Sequence, residues 1–151
     1  MLAVGWAGLV ASVPSHAQPI DALPMPLSLA EALAQANAQR SPLVVMVSLP
    51  RCPFCEVVRN SHLLPLVRAR QASVVQVDMR SAQPIVDFDG ARRTQGDLVR
   101  NWKIKVAPTV LFFGPGGVET APRLEGSYIP DFYGYYLDER LRAARLALDG
   151  R

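Results

Sequence analysis

From Leu43 to Leu49 the chain reads Leu-Val-Val-Met-Val-Ser-Leu, an apolar and largely β-branched run of the kind a strand covered on both faces of a sheet requires. After Cys55 the period changes. Val57, Val58, His62 or Leu63, Leu66 and Val67 recur near helical spacing, with Glu56, Arg59 and Arg68 on the other side, so an amphipathic helix is expected there. Pro53 falls in its first turn, where a missing N–H costs nothing, and Pro65 is expected to bend or end its first part. Upstream, Ser28-Leu29-Ala30-Glu31 has the form of a capping box, and Leu29, Ala32, Leu33 and Ala36 form an apolar stripe. This predicts a helix to about Gln39, stopped by Pro42.

Ser73-Val74-Val75-Gln76-Val77-Asp78 reads as a second strand, and a longer, less regular stretch follows from Met79 to Ala107. Within it, Ile85 to Gly90 alternates and ends in an Asp-Gly turn signal, which suits a short strand or hairpin. Leu98, Val99 and Trp102 lie at helical spacing after Thr94-Gln95-Gly96-Asp97. Val106-Ala107-Pro108-Thr109 opens a third apolar strand through Phe113, and Gly114-Pro115-Gly116-Gly117 is a turn. Arg123 to Gly126 is expected to return antiparallel. Pro130 begins a last helix whose apolar positions include Phe132, Tyr135, Tyr136, Leu141, Ala144 and Leu148. Strands and helices alternating to residue 78, then a hairpin and a closing helix, predict an α/β fold with a mixed central sheet flanked by helices.

Length and composition fit one domain. The chain has 151 residues, half of them hydrophobic, and a net charge of +3 from 16 basic and 13 acidic residues that form no basic run. Nucleic acid is therefore not an expected partner; Arg92-Arg93 reads as a solvated loop. Leu2 to Val13 is uncharged and mostly apolar, and Pro14-Ser15-His16-Ala17 follows with small residues where a signal peptidase would cut. Residues 1–17 thus read as a signal peptide, residues 18–27 with their three prolines as a linker, and residues 28–151 as the domain. The apolar run is shorter than the ~20 residues a bilayer span needs, so no stable membrane insertion is expected after processing, and the implied location is periplasmic or otherwise exported.

Cys52 and Cys55 are the only cysteines. Two thiols at this spacing can form a redox pair, clip a metal or staple a loop, and spacing alone does not decide. Exported proteins live where disulfides persist, and a staple gains most by closing a long loop, which this one does not. A metal would need more ligands. His62, seven positions beyond Cys55, lies about 10 Å along a helix from it, so neither a metal nor another cofactor is expected beyond the redox-active disulfide itself. Cys52 falls at a helix start, where unpaired N–H groups and the helix dipole favour a thiolate, and Arg51 adds a full charge next door. Asp78 and Trp102 read as a strand-end acid and a core aromatic.

With the hydrophobic strand entering Cys52-Pro53-Phe54-Cys55, the Val-Ala-Pro-Thr segment at 106–109 and Gly126 after the next turn, residues 28–148 resemble the thioredoxin superfamily, in particular its exported members with Cys-Pro-aromatic-Cys. The resemblance implies a thioredoxin-like fold and thiol–disulfide exchange with protein thiols or disulfides. Cys52 would be the nucleophile and Cys55 the resolving thiol, with Arg51, Pro53 and Phe54 as activating neighbours and an external redox partner. It also implies a cis bond before Pro108 and a substrate-binding edge at Ala107 and Pro108. The alternatives are a non-catalytic peptide-binding module or chaperone, and a metal-binding dithiol protein. Cytoplasmic thioredoxins carry Trp before the first cysteine, Gly-Pro between the two, and a buried acid six positions before the motif. This chain has Arg51, Pro53-Phe54 and Met46 there.

Overall fold

The alternating faces of one buried strand organise the molecule. The computed structural model describes residues 21–126 and 130–150. Strand β1 (Leu43–Ser48) is buried at every position. Its Val44 and Met46 enter one core together with Cys55, Val58 and Phe112; its Leu43, Val45 and Val47 enter a second core with Leu29, Leu98 and Phe113. A strand covered on both faces has no polar position to show, which is why its two-residue period is invisible in the sequence.

β1 pairs in parallel with β2 (Ser73–Asp78) and antiparallel with β5 (Thr109–Gly114), and β5 pairs antiparallel with β6 (Val118–Glu125). The sheet is therefore mixed, in the order β2-β1-β5-β6. Helix α1 (Leu29–Ala38) and α4 (Gln95–Asn101) contribute to the second core. The cysteine-bearing helix and α5 (Tyr133–Asp149) contribute to the first.

The cysteine-bearing helix does not end at Pro65. It runs as α2 (Pro53–Val57), a π-helical segment (Val58–Leu63) and α3 (Leu64–Arg68). In the widened turn the Leu64 N–H donates to the Arg59 carbonyl, five residues back, just before the residue that has no N–H to give. A π-helical turn thus precedes the proline at the place where a bend or an end is expected, and the helix continues past it. It also changes which residues point inward: Val58, Leu63 and Leu64 are buried, whereas Val57 is exposed.

The last helix buries Leu141 and Ala144 as expected and differs at its aromatic start. A 3-10 turn (Pro130–Phe132) precedes α5, and its buried stripe is Tyr133, Leu137, Leu141 and Ala144. Tyr135 is 67% exposed, and Phe132 and Tyr136 also face outward.

The stretch Met79 to Ala107 holds a separate two-stranded hairpin, β3 (Pro84–Val86) with β4 (Arg92–Thr94), followed by α4. Arg93 binds Asp87 and Asp89 across the turn. The extended segment 21–27 is attached rather than free: Leu23 is buried, the Pro24 carbonyl accepts from the Gln76 N–H at 2.8 Å, and the Leu27 carbonyl accepts from the Val86 N–H at 2.9 Å.

Helix α4 begins on a reciprocal cap. Thr94 Oγ1 accepts from the Asp97 N–H at 3.0 Å and donates to Asp97 Oδ2 at 2.6 Å. Thr94→Ala should lower stability by about 1 kcal/mol, read as a lower urea midpoint at unchanged slope.

Candidate functional site

Cys52 lies where β1 has ended and α2 begins. It is the N-cap of α2, in extended conformation, and its Sγ accepts from the Cys55 N–H at 3.2 Å. This is the bond a serine or aspartate oxygen makes at a helix start, here made by sulfur. Pro53 follows at the first helical position.

Cys52 and Cys55 are joined in a disulfide, with Cα atoms 5.2 Å apart. Their surroundings differ. Cys52 is half-buried, whereas Cys55 is 0% exposed within the first core, the core that also holds Met46 and Val110. Only one of the two sulfurs is therefore open to a large partner. Phe54, between them, is 63% exposed and Pro53 is exposed. Arg51 is exposed at a φ of 56°, in the left-handed region.

Across the sheet, the Ala107–Pro108 peptide bond is cis. Ala107 and Cys52 both pack against the first core. Pro108 is buried, and its carbonyl accepts from the Gly126 N–H at 2.7 Å, with Gly126 at a φ of 71°. A positive φ suits glycine, which has no Cβ to clash.

The structure also gathers residues that were not expected at the site. In parallel pairing, Met46 stands opposite Gln76 and Ser48 opposite Asp78, so these positions share the face of the sheet that carries the cysteine helix. Arg59 comes down from the π-helical segment onto them. Its Nε donates to Gln76 Oε1 at 2.8 Å and its Nη2 donates to Ser48 Oγ at 3.1 Å. A cleft of about 260 Å³ opens there, with Ser48, Arg51, Cys52, Glu56, Arg59 and Asp78 among its lining residues. Asp78 is thus part of the cysteine cleft as well as a strand-end acid; its Oδ1 accepts from the Arg80 N–H at 2.9 Å. Arg59 is not on the solvent side of its helix, as the apolar stripe implied. The signal available in the sequence was its distance from Cys52, seven residues, or two helical turns on one face.

His62 is half-buried against the ring of Tyr133, with centroids 5.0 Å apart. Burial lowers its pKa, and Asp138 acts in the opposite sense. Among the described residues no three His, Cys, Asp or Glu side chains gather where they could hold a metal ion. Trp102 packs with Phe88 and Phe113 in the second core.

A mixed four-stranded sheet with a Cys-x-x-Cys disulfide at the end of a central strand defines the thioredoxin class of folds. The family model of the thioredoxin-like domain matches residues 29–140, and the chain belongs to that family. Among solved structures, DsbH oxidoreductase is similar at a TM-score of 0.52 and 16% identity, over 90% of this chain and 95% of that one. Mitochondrial thioredoxin 3 from Saccharomyces cerevisiae is similar at a TM-score of 0.51 and 17% identity, over 80% and 93%. A poplar thioredoxin h is similar at 0.51 and 16% identity, over 72% and 85%. A search among curated proteins gave no match. At these identities the likeness is one of fold. Together with the disulfide-forming pair, family membership points to thiol–disulfide oxidoreductase activity.

Proposed function

We propose that the protein exchanges disulfides with protein partners through Cys52 and Cys55 in an exported compartment. The observation that carries this reading is the asymmetry of the pair, a half-buried Cys52 at a helix N-cap bonded to a fully buried Cys55.

In the reduced protein the Cys52 thiolate attacks one sulfur of a partner disulfide. The partner S–S bond breaks, its second sulfur leaves as a thiolate, and a mixed disulfide forms at Cys52. Cys55, having lost its proton, then attacks the Cys52 sulfur and expels the partner's first sulfur. The partner gains two electrons and the pair becomes a disulfide. The reverse sequence donates the disulfide. No cofactor enters beyond the pair itself; an external redox partner resets it.

The backbone of Ala107, presented by its cis bond to the buried Pro108, supplies the edge along which an extended peptide pairs, and Phe54 the exposed apolar contact beside the sulfur. The uncharged run Leu2 to Val13 and the small residues before Gln18 support export. No helix among the described residues is long and apolar enough to cross a membrane.

The reduced protein should catalyse insulin reduction with a dithiol donor, and Cys52→Ser should abolish it. An inactive wild-type protein that still binds unfolded peptides would replace this reading with that of a peptide-holding module.

A further inference from the structure

The cleft beside Cys52 holds a guanidinium, that of Arg59, which among the described residues is in no ion pair with a carboxylate. Both acceptors of Arg59, Gln76 Oε1 and Ser48 Oγ, are neutral. Glu56 and Asp78 line the same cleft without pairing with it. Ser48 ends β1, and the chain turns through Leu49, Pro50 and Arg51 directly to Cys52. The two hydrogen bonds therefore hold the charge at the root of the loop that presents the sulfur.

We propose that Arg59 is the positioning residue that holds negative charge on Cys52 in the reduced protein, and that it thereby biases the pair toward donating its disulfide. This rests on Cys52 being the exchanging thiol. Guanidinium is charged at every working pH, and a half-buried cation is screened far less than an exposed one. Arg51 is nearer in sequence but exposed, so water and salt weaken its field. The other charged groups on the cleft act against Arg59: Glu56 from α2, which is exposed, and Asp78 from the end of β2, whose carboxylate is engaged by the Arg80 N–H. Stabilising the thiolate stabilises the dithiol form, which makes the disulfide the stronger oxidant.

Three variants separate this from a structural role: Arg59→Gln, Arg59→Lys and Gln76→Glu. The Cys52 pKa is read from thiolate ultraviolet absorbance of the reduced protein, and the redox equilibrium from titration against glutathione. Arg59→Gln should raise the Cys52 pKa by about one unit. At a pH above both values it should move the glutathione equilibrium about tenfold toward the disulfide, a potential ~30 mV lower. Arg59→Lys should keep the wild-type values. Gln76→Glu leaves Arg59 in place but sets a carboxylate against it, and should shift both readouts in the same sense as Arg59→Gln. A wild-type pKa in Arg59→Gln, or an Arg59→Lys shift as large as that of Arg59→Gln, overturns the proposal. Should Arg59→Gln fail to fold, an unchanged Cys52 pKa in Gln76→Glu overturns it instead. Loss of the underlying reading would look different, as exchange activity that survives Cys52→Ser.

Discussion

Cys55→Ser should leave the first attack intact and stop the release, so that the reduced variant accumulates a mixed disulfide with its substrate through Cys52. Cys55 is completely buried, and its backbone N–H is bound to Cys52 Sγ at 3.2 Å, so the two sulfurs are held together by the first turn of α2. Resolution within such a pair is an intramolecular step, and well-oriented intramolecular reactions reach effective concentrations of about 10⁵ M and above. A serine hydroxyl cannot replace the thiolate, and an external dithiol at millimolar concentration replaces it poorly. Steady-state insulin reduction should fall at least about 100-fold, while a non-reducing gel shows a substrate adduct that dithiothreitol removes. The complementary variant, Cys52→Ser, should form almost no adduct, because the remaining thiol is closed off in the first core. An equal yield of adduct from both variants would show that Cys55 becomes accessible on reduction and would remove the basis for assigning the two roles.

The main frame of this fold was legible in the chain for physical reasons that can be named. β1 and β5 are apolar runs bounded by breakers, Pro42 before one and Gly114-Pro115 after the other, and α1 and α4 carry Ser28 and Thr94 at their N-caps. Legibility failed where a side chain has two faces. Tyrosine has an apolar body and a polar tip, so Tyr135 and Tyr136 look like core positions to an apolar count yet face water on α5. Arginine fails in the opposite direction. Arg59 looks like a solvated helix position, and only the juxtaposition of Ser48 and Gln76 across two parallel strands gives its head group a place to bind inside. The π-helical segment before Pro65 widens the spacing within the apolar stripe, so Val57 faces out and Val58 in.

The same two-strand arrangement bears on the missing acid. Met46 stands where cytoplasmic thioredoxins keep a buried carboxylate, and it is fully buried in the core that holds Cys55. The polar groups on that face sit on either side of it, at Gln76 opposite and at Ser48 and Asp78 one pleat further along, and they open toward Cys52. Charge at this site is thus arranged around the half-buried sulfur, with a cation held at the cleft, while the fully buried sulfur is left in an apolar setting.

Phe113→Ala should be the most destabilising single truncation on the second core and should leave the exchange chemistry of the folded fraction unchanged. Phe113 is 2% exposed on β5, with the rings of Phe88 and Trp102 at centroid distances of 4.7 and 5.3 Å. Phe88 comes from the turn between β3 and β4, and Trp102 follows α4, so this one side chain ties both the hairpin turn and the end of α4 to the sheet. Gly117, at a φ of 70°, gives Phe88 its room: a Cβ there would collide with the Phe88 ring. Removing a buried phenylalanine costs about 3–5 kcal/mol, a large share of the roughly 5–15 kcal/mol that holds a domain folded. The melting temperature should fall by about 10 °C or more, and hydrogen exchange should rise across the hairpin and α4 before it rises in β1. Phe113 lies at the far end of β5 from Pro108, so insulin reduction per folded molecule should match the wild type below the transition. A loss under about 1 kcal/mol in urea titration would mean that Ile85, Leu98 and Val99 hold the stretch without the aromatic stack.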